Sequence, residues 1–493
     1  MENYRAEIIV GCVAIYFLLC IVVGLWAMRK TRTARDFFMA GRDLGIFVTS
    51  IAIFSSAMSG FGFVGGPGLV YRMGISSLWI VISTTIGYAI CFFLLGKKLR
   101  EWAVKRDSIS LPDVIKVRYQ SSTAGVLAAV AILLGVMGYL ATQIAAMATV
   151  LQSLVSGLTT YGEVSLFACA LFSTVLLVFY CVTGGIIASV YTDLIQGVIM
   201  MVAAVLVFLT AIWTVDGGLA GISQVLVRDD PQSMSPWGSK GMIGCLSWYF
   251  VFAFGVAGQP HVITKLMMTR RAEDARWTLP ATIAGYMVTA LLWIVVGLTM
   301  RALVVSHAHP ELATADSAAP DFLQYFTHPI LAGIVFAGLF AAIMSTADAF
   351  LNIGAAAIVH DIPVAIRGKP LENELRWARV VTVLIGGAAM VFALFSGDMV
   401  ALLGAFGWGT FAAALVPTVA IGLNWKRATS LAACVAIASS LIVNFSIKAF
   451  GIVVPLNIDS GAVALLVSLT LFIGISLGTR NNPEVADPEV AEV

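Results

Sequence analysis

Charged side chains are scarce in this 493-residue chain: Asp, Glu, Lys and Arg make up 11% of it, whereas apolar residues make up 60%. A water-soluble domain of this length needs far more charge to cover its surface, so a soluble protein is excluded. The mean hydropathy of +0.95 is that of a chain solvated mainly by lipid. The formal net charge of +2 is spread over short clusters, which argues against a nucleic-acid-binding surface.

Signatures of catalysis and of bound cofactors are missing as well. The seven cysteines are an odd number and form no Cys-x-x-Cys pair, which argues against a disulfide framework or a zinc site. No P-loop is present, so ATP does not drive the protein. The G-x-G at residues 60–62 follows no strand and is no dinucleotide site. The chain is therefore predicted not to be an enzyme, to have no catalytic residues and to hold no organic cofactor.

Long apolar runs are what the sequence has instead. About thirteen of them approach or exceed the roughly 20 residues that cross a bilayer. They must be helical, because lipid offers the backbone no hydrogen-bond partner. We therefore predict an all-α polytopic membrane protein. The predicted spans are 6–28, 44–72, 74–96, 123–155, 163–184, 185–213, 241–264, 277–303, 329–358, 378–396, 399–423, 428–447 and 460–478.

Lysine and arginine concentrate in alternate loops. With the N-terminus outside, 23 of the 29 basic residues fall on the cytoplasmic side, an asymmetry typical of membrane proteins. The pattern predicts a multi-pass plasma-membrane protein (the inner membrane in a Gram-negative bacterium) with its N-terminus outside and its C-terminus in the cytoplasm. The segments that hold these basic residues are 29–43, 97–122, 265–276, 359–379, 424–427 and the tail from 479.

Two spans contain residues that interrupt a helix. The second passes through Ser-Ser-Ala-Met-Ser-Gly-Phe-Gly at 55–62, and the seventh passes through Gly-Val-Ala-Gly-Gln-Pro at 255–260. Such residues merely kink many membrane helices, but a pair of breaks at matching places in two halves is typical of a transporter built from inverted repeats. The predicted organisation is a first helix and cytoplasmic loop (1–43), repeat 1 (44–213), an extracellular loop (214–240), repeat 2 (241–423), and two further helices with a short cytoplasmic tail (424–493).

Carboxylates inside apolar spans are costly and by default mark an ion or proton path. Asp193 lies early in the sixth span, and Asp348 lies midway along the ninth. Ser345, Asp348 and Asn352 follow one helical stripe, whose oxygen atoms suit a hard cation such as Na⁺. The alternative is that these groups hydrogen bond to neighbouring helices and only hold the bundle together.

Four segments resemble the sodium/solute symporter family, and look most similar to its bacterial proline and pantothenate symporters. The resemblance runs from about residue 6 to residue 478. It implies secondary active transport by alternating access, and a LeuT-type core of ten helices in two inverted five-helix repeats. The segments are Asp-Phe-Phe-Met-Ala-Gly-Arg-Asp-Leu-Gly at 36–45, residues 180–196 with Tyr-Thr-Asp-Leu-Ile-Gln at their end, Gly258–His261 and Ala342–Thr346.

The resemblance also implies a sodium site between the break in the second span and the ninth span. A break in a helix exposes unpaired carbonyls, which is why a cation binds there. Some family members have a second sodium near the equivalents of Asp193 and Asp348, so these two residues form a candidate second cation or proton site. The ligands of the first sodium would be the backbone carbonyls of Ser55, Met58 and Ala342 and the hydroxyls of Ser345 and Thr346.

The substrate pocket departs from that of proline symporters. Ala57 stands where those proteins have an aspartate, and Phe252 and Val256 stand where they have a tryptophan and a tyrosine. Tyr139 matches the family's tyrosine and lies one helical turn from Gln143, although packing explains both side chains as well. The residues predicted to surround a small solute are Ser59, Gly60, Tyr139, Gln143, Phe252 and Val256.

Na⁺-coupled symport of a small organic solute, an amino acid or a carboxylate, is the predicted function. The expected partners are that solute, Na⁺ as the coupling ion and the lipid bilayer, with no nucleic acid, and the protein is expected to act as a monomer. Two alternatives use the same fold: a membrane sensor of the solute, and a Na⁺-independent or proton-coupled transporter. About 15 residues follow the last span, with no signalling module, and both Ser345 and Thr346 are present, which favours sodium symport.

Overall fold

The computed structural model describes residues 4–30, 44–106, 108–156 and 164–479, with the backbone alone at 24, 27, 28, 30 and 184–191. The resemblance motif at 36–43 therefore lies outside the described residues. The fold is all-α, as predicted, and an isolated bridge between Leu44 and Thr269 is the one strand-like contact of the described part. The α-helices are α1 Arg5–Lys30, α2 Ile46–Ala57, α3 Gly66–Met73, α4 Leu78–Cys91, α5 Lys97–Lys105, α6 Leu111–Tyr119, α7 Ser122–Ser156, α8 Leu166–Thr214, α9 Gly218–Asp229, α10 Gly241–Gly255, α11 Pro260–Met267, α12 Ala275–Val305, α13 Ala318–Phe326, α14 Pro329–Ala356, α15 Ile362–Arg367, α16 Glu374–Ser396, α17 Val400–Leu415, α18 Ser430–Ala449 and α19 Ser460–Gly478.

Twelve helical segments of the described residues are long and apolar enough to cross a membrane. One of them, Phe61–Lys105, has 45 residues, about twice what a bilayer requires. It contains α3, which continues the crossing begun by the shorter apolar helix α2, and then a further crossing formed by α4 and α5. The architecture therefore agrees with the prediction of about thirteen spans.

The fifth and sixth predicted spans form one 49-residue helical segment, α8. A straight helix of that length would extend about 73 Å, more than twice the hydrocarbon thickness. The contact between the hydroxyls of Tyr180 and Thr192 shows that the segment folds back on itself. Residues 12 apart in a straight helix would be separated by about 18 Å. The two halves therefore make the two predicted crossings.

Several short helices lie in segments predicted only as loops. Of these, α6 and α15 follow membrane helices at one end of the bundle, and α9 and α13 lie at the other. Lys265 corrects a second expectation: the loop prediction for 265–276 places it among solvated basic residues, but it lies in α11 and is only 2% exposed. The predicted boundary falls too early because a lysine at the end of an apolar run is usually solvated.

The loops predicted to share one side of the membrane do contact one another. Arg100 donates to the carbonyl of Arg270, and Lys116 donates to the carbonyl of Val364 at 2.8 Å. At the opposite end, Arg301 forms an ion pair with Asp230 at 3.1 Å. The predicted segregation of loops into two faces is therefore consistent with the packing.

The centre of the bundle is formed by α14 and α17. In the membrane-spanning windows that include these helices, 83% and 94% of the residues are buried, compared with 22% for α1 at the periphery. A helix surrounded by other helices is apolar on every side, so a polar side chain on α14 or α17 must find its partner inside the protein. This enclosure decides what Ser345, Thr346 and Asp348 can contact.

Candidate sodium and solute sites

The helix formed by residues 46–73 is broken where predicted. Met58 leaves the helical conformation at φ −85° and ψ 70°. Beyond it, the Gly60 amide donates to Oε1 of Gln143 at 2.8 Å and the Phe61 amide donates to Oγ of Ser59 at 3.1 Å. In a continuous helix these amides would bond to the carbonyls of Ser56 and Ala57, so those carbonyls are released.

One hydroxyl of α14 contacts a released carbonyl, and a second hydroxyl precedes it on the same helix. Thr346 Oγ1 lies 3.0 Å from the carbonyl oxygen of Ser56 and 3.2 Å from that of Ala342 in its own helix. Ser345 Oγ donates to the same Ala342 carbonyl at 3.1 Å. Both side chains are at most 1% exposed. Thr346 therefore joins α14 to the break, whereas Ser345 contacts the carbonyl of Ala342 within its own helix.

The remaining predicted sodium ligands flank Ser56 on the broken segment. The Met58 amide closes the last turn of α2 by donating to the carbonyl of Phe54 at 2.8 Å. The Gly62 amide would bond to the Met58 carbonyl in a helix. It donates instead to the backbone carbonyl of Ser59 at 2.9 Å. The contact across the break thus joins Thr346 to Ser56, which lies in sequence between the predicted ligands Ser55 and Met58. Neutral hydroxyl and carbonyl oxygens are the kind of ligand that hard cations prefer.

Four of the six predicted solute residues form one hydrogen-bonded group beside the break. Gln143 accepts from Gly60 and donates through Nε2 to the carbonyl of Tyr139 at 3.3 Å. The hydroxyls of Ser59 and Tyr139 are 3.4 Å apart. A side chain at Gly60 would collide with Ala146, because a Cβ there would lie 2.6 Å from its methyl carbon. The absence of a side chain at residue 60 lets α7 approach the break closely.

The other two predicted solute residues lie on α10 and the turn after it. Phe252 is stacked on Phe61 with ring centroids 6.0 Å apart, which connects it to the break. Val256 lies instead against Gly87 of α4, where a Cβ would come within 2.5 Å of its methyl carbon. The structure therefore joins Phe252 to the hydrogen-bonded group, whereas Val256 packs on the neighbouring helix.

Aromatic side chains that the sequence did not single out surround this group. Trp408 lies 5.3 Å from Phe252, and Phe350 lies 4.8 Å from Tyr139, between ring centroids. His261, which ends the Gly258–His261 motif, lies 4.9 Å from Phe350. The ring nitrogens of His261 and Trp408 are buried and have no hydrogen-bond partner among the described residues. No sequence signal separates these rings from the many aromatics that pack or face lipid, since their role depends on tertiary contact.

The candidate second cation site contains a partner that sequence reasoning missed. Nζ of Lys265 lies 3.1 Å from Oδ2 of Asp193 and 2.6 Å from the carbonyl oxygen of Ala52, and both side chains are at most 2% exposed. Asp348 is buried on α14 at 1% exposure. A buried carboxylate needs a paired positive charge, and in this arrangement the Lys265 ammonium supplies it for Asp193.

Comparison with known proteins adds to this geometry. A model of the sodium:solute symporter family matches residues 37–439. The osmoregulated proline transporter OpuE of Bacillus subtilis is 28% identical over 430 residues, which cover 85% of this chain and 84% of that protein. A sodium/proline symporter of Staphylococcus aureus is 28% identical over 445 residues, which cover 87% and 84%.

Two solved structures have a similar fold. One is a Na⁺-coupled sialic acid symporter in a substrate-bound, outward-open state, with a TM-score of 0.75, 18% identity, and coverage of 96% of this chain and 98% of that one. The other is a nucleobase-cation-symport-1 family transporter in a closed conformation with bromovinylhydantoin bound, with a TM-score of 0.59, 13% identity, and coverage of 92% and 97%. These likenesses confirm the predicted LeuT-type core of two inverted five-helix repeats.

Proposed function

This chain belongs to the sodium:solute symporter family, and from that premise we propose which of its residues bind the coupling ion and the solute. It is a transporter rather than an enzyme, and it is a multi-pass protein of the plasma membrane. It couples Na⁺ to the symport of a small organic solute.

We propose that Na⁺ binds at the break between α2 and α3. Its ligands are the carbonyls of Ser55, Met58 and Ala342 with the hydroxyls of Ser345 and Thr346. The observation that carries the proposal is the contact of Thr346 with the Ser56 carbonyl, since a hydroxyl from another helix there stands in for the missing helical donor. A bound cation would join α2 to α14, and its loss would let the two helices separate during transport.

Uptake into proteoliposomes tests the sodium coupling. Purified protein is reconstituted, and accumulation of radiolabelled solute is compared under an inward Na⁺ gradient and under an equal K⁺ gradient. Coupling predicts accumulation above equilibrium only with Na⁺. Equal accumulation under both gradients would contradict it and would favour a Na⁺-independent transporter, whereas accumulation that follows an imposed pH gradient would favour proton coupling.

We infer that the solute is a small amino acid or carboxylate with an apolar portion. The named relatives carry proline and sialic acid, which both contain a carboxylate. The buried ring nitrogens of Trp408 and His261 can hydrogen bond to a solute, and Phe252 and Phe61 provide an apolar wall. Because Ala57, Phe252 and Val256 differ from the proline-symporter residues, proline itself is one member of the class to be tested.

Thermal stabilisation in detergent identifies the solute. Amino acids, short monocarboxylates and pantothenate are screened with Na⁺ present, because a ligand that binds only the native state raises the apparent stability. The Phe252→Ala protein should bind the selected solute at least tenfold more weakly than wild type while its half-saturating Na⁺ concentration stays within about twofold. Unchanged solute affinity in that variant would show that Phe252 does not line the solute pocket.

Asp193 and Asp348 are proposed as a second cation or proton site that also contains Lys265. The Lys265 ammonium already compensates the negative charge of Asp193. A second Na⁺ would therefore have to compete with Lys265 or bind nearer Asp348. Asp348→Asn keeps the shape and removes the charge. The coupled site predicts a changed Na⁺-to-solute ratio or a shifted pH profile of uptake, and a wild-type ratio and profile would leave Asp348 as a structural residue.

The orientation and the oligomeric state are also proposals. The basic loops support an extracellular N-terminus and a cytoplasmic C-terminus. Because the candidate sodium and solute residues all lie within one chain, we propose a functional monomer in the lipid bilayer. Single cysteines introduced at His309 and at Lys369 should react with a membrane-impermeant thiol reagent only from outside and only from inside, respectively. The reverse labelling pattern would show that the N-terminus is cytoplasmic and the C-terminus extracellular.

A further inference from the structure

A histidine and three acidic residues meet at the end of the bundle to which the basic loops assign the cytoplasm. One ligand atom each of Asp113, His360 and Asp361 lies within 4.8 Å of the other two. Asp113 belongs to α6, in the link between repeat-1 helices, whereas His360 and Asp361 belong to the wide helical turn that extends α14. The cluster therefore joins two elements that are far apart in sequence.

The imidazole of His360 is held with one nitrogen directed at the aspartates. Glu374, the first residue of α16, lies 2.8 Å from Nδ1. Nε2 lies 3.4 Å from Oδ2 of Asp113. A carboxylate on one ring nitrogen that orients the other nitrogen towards an ion is the usual arrangement behind a metal-ligating histidine. Two ligand atoms at about 2.0–2.1 Å from a tetrahedral zinc ion lie roughly 3.3 Å apart, close to the separation of Nε2 and Oδ2.

Asp361 provides an independent indication of a ligand. Its side chain is 3% exposed, and its Oδ1 is buried with no hydrogen-bond partner among the described residues. An unpaired buried carboxylate oxygen is costly. Asp361 also lines a cavity of about 30 Å³, shared with Ser110 and Asn352, which is large enough for one or two water molecules. An ion bound at the carboxylate could keep one or two water ligands in this cavity.

We propose that Asp113, His360 and Asp361 bind a divalent transition-metal cation, with Zn²⁺ as the fitting representative, and that Glu374 orients the histidine. One imidazole nitrogen with carboxylate oxygens suits Zn²⁺, whereas Mg²⁺ and Ca²⁺ prefer oxygen ligands alone. The bound ion holds α6 against the extension of α14, the helix that carries Ser345 and Thr346. It restrains the end of that helix and slows transport without entering the sodium or solute site.

Zinc binding to the full-length protein in detergent tests the proposal. Titration of metal-free protein with ZnCl₂ against a chromophoric chelator should show one site per chain, and MgCl₂ at the same concentration should not compete. His360→Gln and Asp113→Asn should each weaken Zn²⁺ binding at least tenfold. The two variants remove different ligands from different elements, and retention of Na⁺-dependent uptake shows that each is folded.

The matched control replaces two histidines at the other end of the molecule, the exposed His307 and the half-buried His309, with glutamine. This variant should bind Zn²⁺ as the wild type does and show the same zinc-dependent slowing of uptake. Absence of a zinc site in the wild type would overturn the proposal. His360 would then only bridge the neighbouring carboxylates of Asp113 and Glu374. Wild-type affinity in both His360→Gln and Asp113→Asn would overturn the proposal as well. Because binding is measured without solute or gradient, its failure is separate from a failure of the sodium proposal.

Discussion

The two helix breaks use their backbone groups in opposite ways. At the first break, amides donate to side chains of Gln143 and Ser59, and the Ser56 carbonyl that is released accepts from Thr346 of α14. At the second break, Nε2 of Gln259 donates back to the carbonyl of Gly255 at 3.1 Å, and the Gln259 amide donates to the carbonyl of Val256. At the first break a hydroxyl from another helix contacts a released carbonyl, whereas at the second the side chain of Gln259 bonds within its own segment.

This difference shows that an interrupted span is not by itself an ion site. Gly255–Pro260 and Ser55–Gly62 both contain the glycines and small residues that stop a helix, and Pro260 begins the helix after the second break. What differs is the neighbour. Thr346 of α14 stands opposite the first break, and the ring of Trp408 lies against Gly255 at the second. The two breaks therefore differ in the side chain that the packed neighbour presents to them.

Lys265 links the two breaks, so its removal should have the largest effect. It follows the second break in α11 and donates to Ala52 before the first. Lys265→Met leaves Asp193 charged and buried, which should lower the free energy of unfolding by about 3–5 kcal/mol. The Lys265→Met, Asp193→Asn double variant should recover part of that loss. Thermal and denaturant unfolding in detergent measures both, and an equal loss in the double variant would show that the ion pair contributes little.

Ser345→Ala combined with Thr346→Ala tests the first break as the sodium site. The half-saturating Na⁺ concentration should rise at least tenfold, equivalent to about 1.4 kcal/mol, or uptake should be abolished. Thr382→Ala is the matched control, because Thr382 is buried in α16 and donates only to Ala378 of its own helix. Unchanged sodium dependence in a folded double variant would place the site elsewhere.

The two glutamines allow the breaks to be compared directly. Gln143→Met removes the acceptor of the Gly60 amide, and an unsatisfied buried amide costs about 1–3 kcal/mol. Since this distorts the first break, the half-saturating Na⁺ concentration should rise about threefold. Gln259→Met should change stability by about 1 kcal/mol and leave sodium dependence unaltered. An equal effect of both substitutions on sodium would mean that the two breaks act as one unit.

Substitution of Asp316 tests α3, the continuation of the first broken helix. It has the smallest expected effect. Asp316 lies against Gly68 of α3 and accepts from the Val400 amide at 2.9 Å, and burial raises the pKa of this carboxyl to about 6. The folded protein then binds more protons than the unfolded chain between about pH 4 and pH 6, so stability rises as the pH falls. From pH 7 to pH 5 the gain should be about 1 kcal/mol. The Asp316→Asn variant should lack this gain in thermal unfolding curves, and retention of the full pH dependence would assign it to another group.

Much of the fold was predictable because lipid restricts the backbone to helices. The last span, 460–478, matches α19, and the eighth, 277–303, lies within α12. The breaks were predictable too, because glycine and proline act through their own backbone. The ends of buried helices were harder, as Lys265 shows: the same lysine after an apolar run either reaches solvent or pairs inside the protein.

The sequence by itself determined that the chain spans a membrane many times, that two of its helices are broken, and which hydroxyls were candidates for sodium. These follow from hydropathy, charge and local backbone preference, which act over one or two turns of a helix. Only the tertiary structure decided that Thr346 meets Ser56, that Lys265 pairs with Asp193, and that Asp113 meets His360. Those pairs are separated by 72 to 290 residues, and packing of the helices, rather than any local pattern, brings their side chains together.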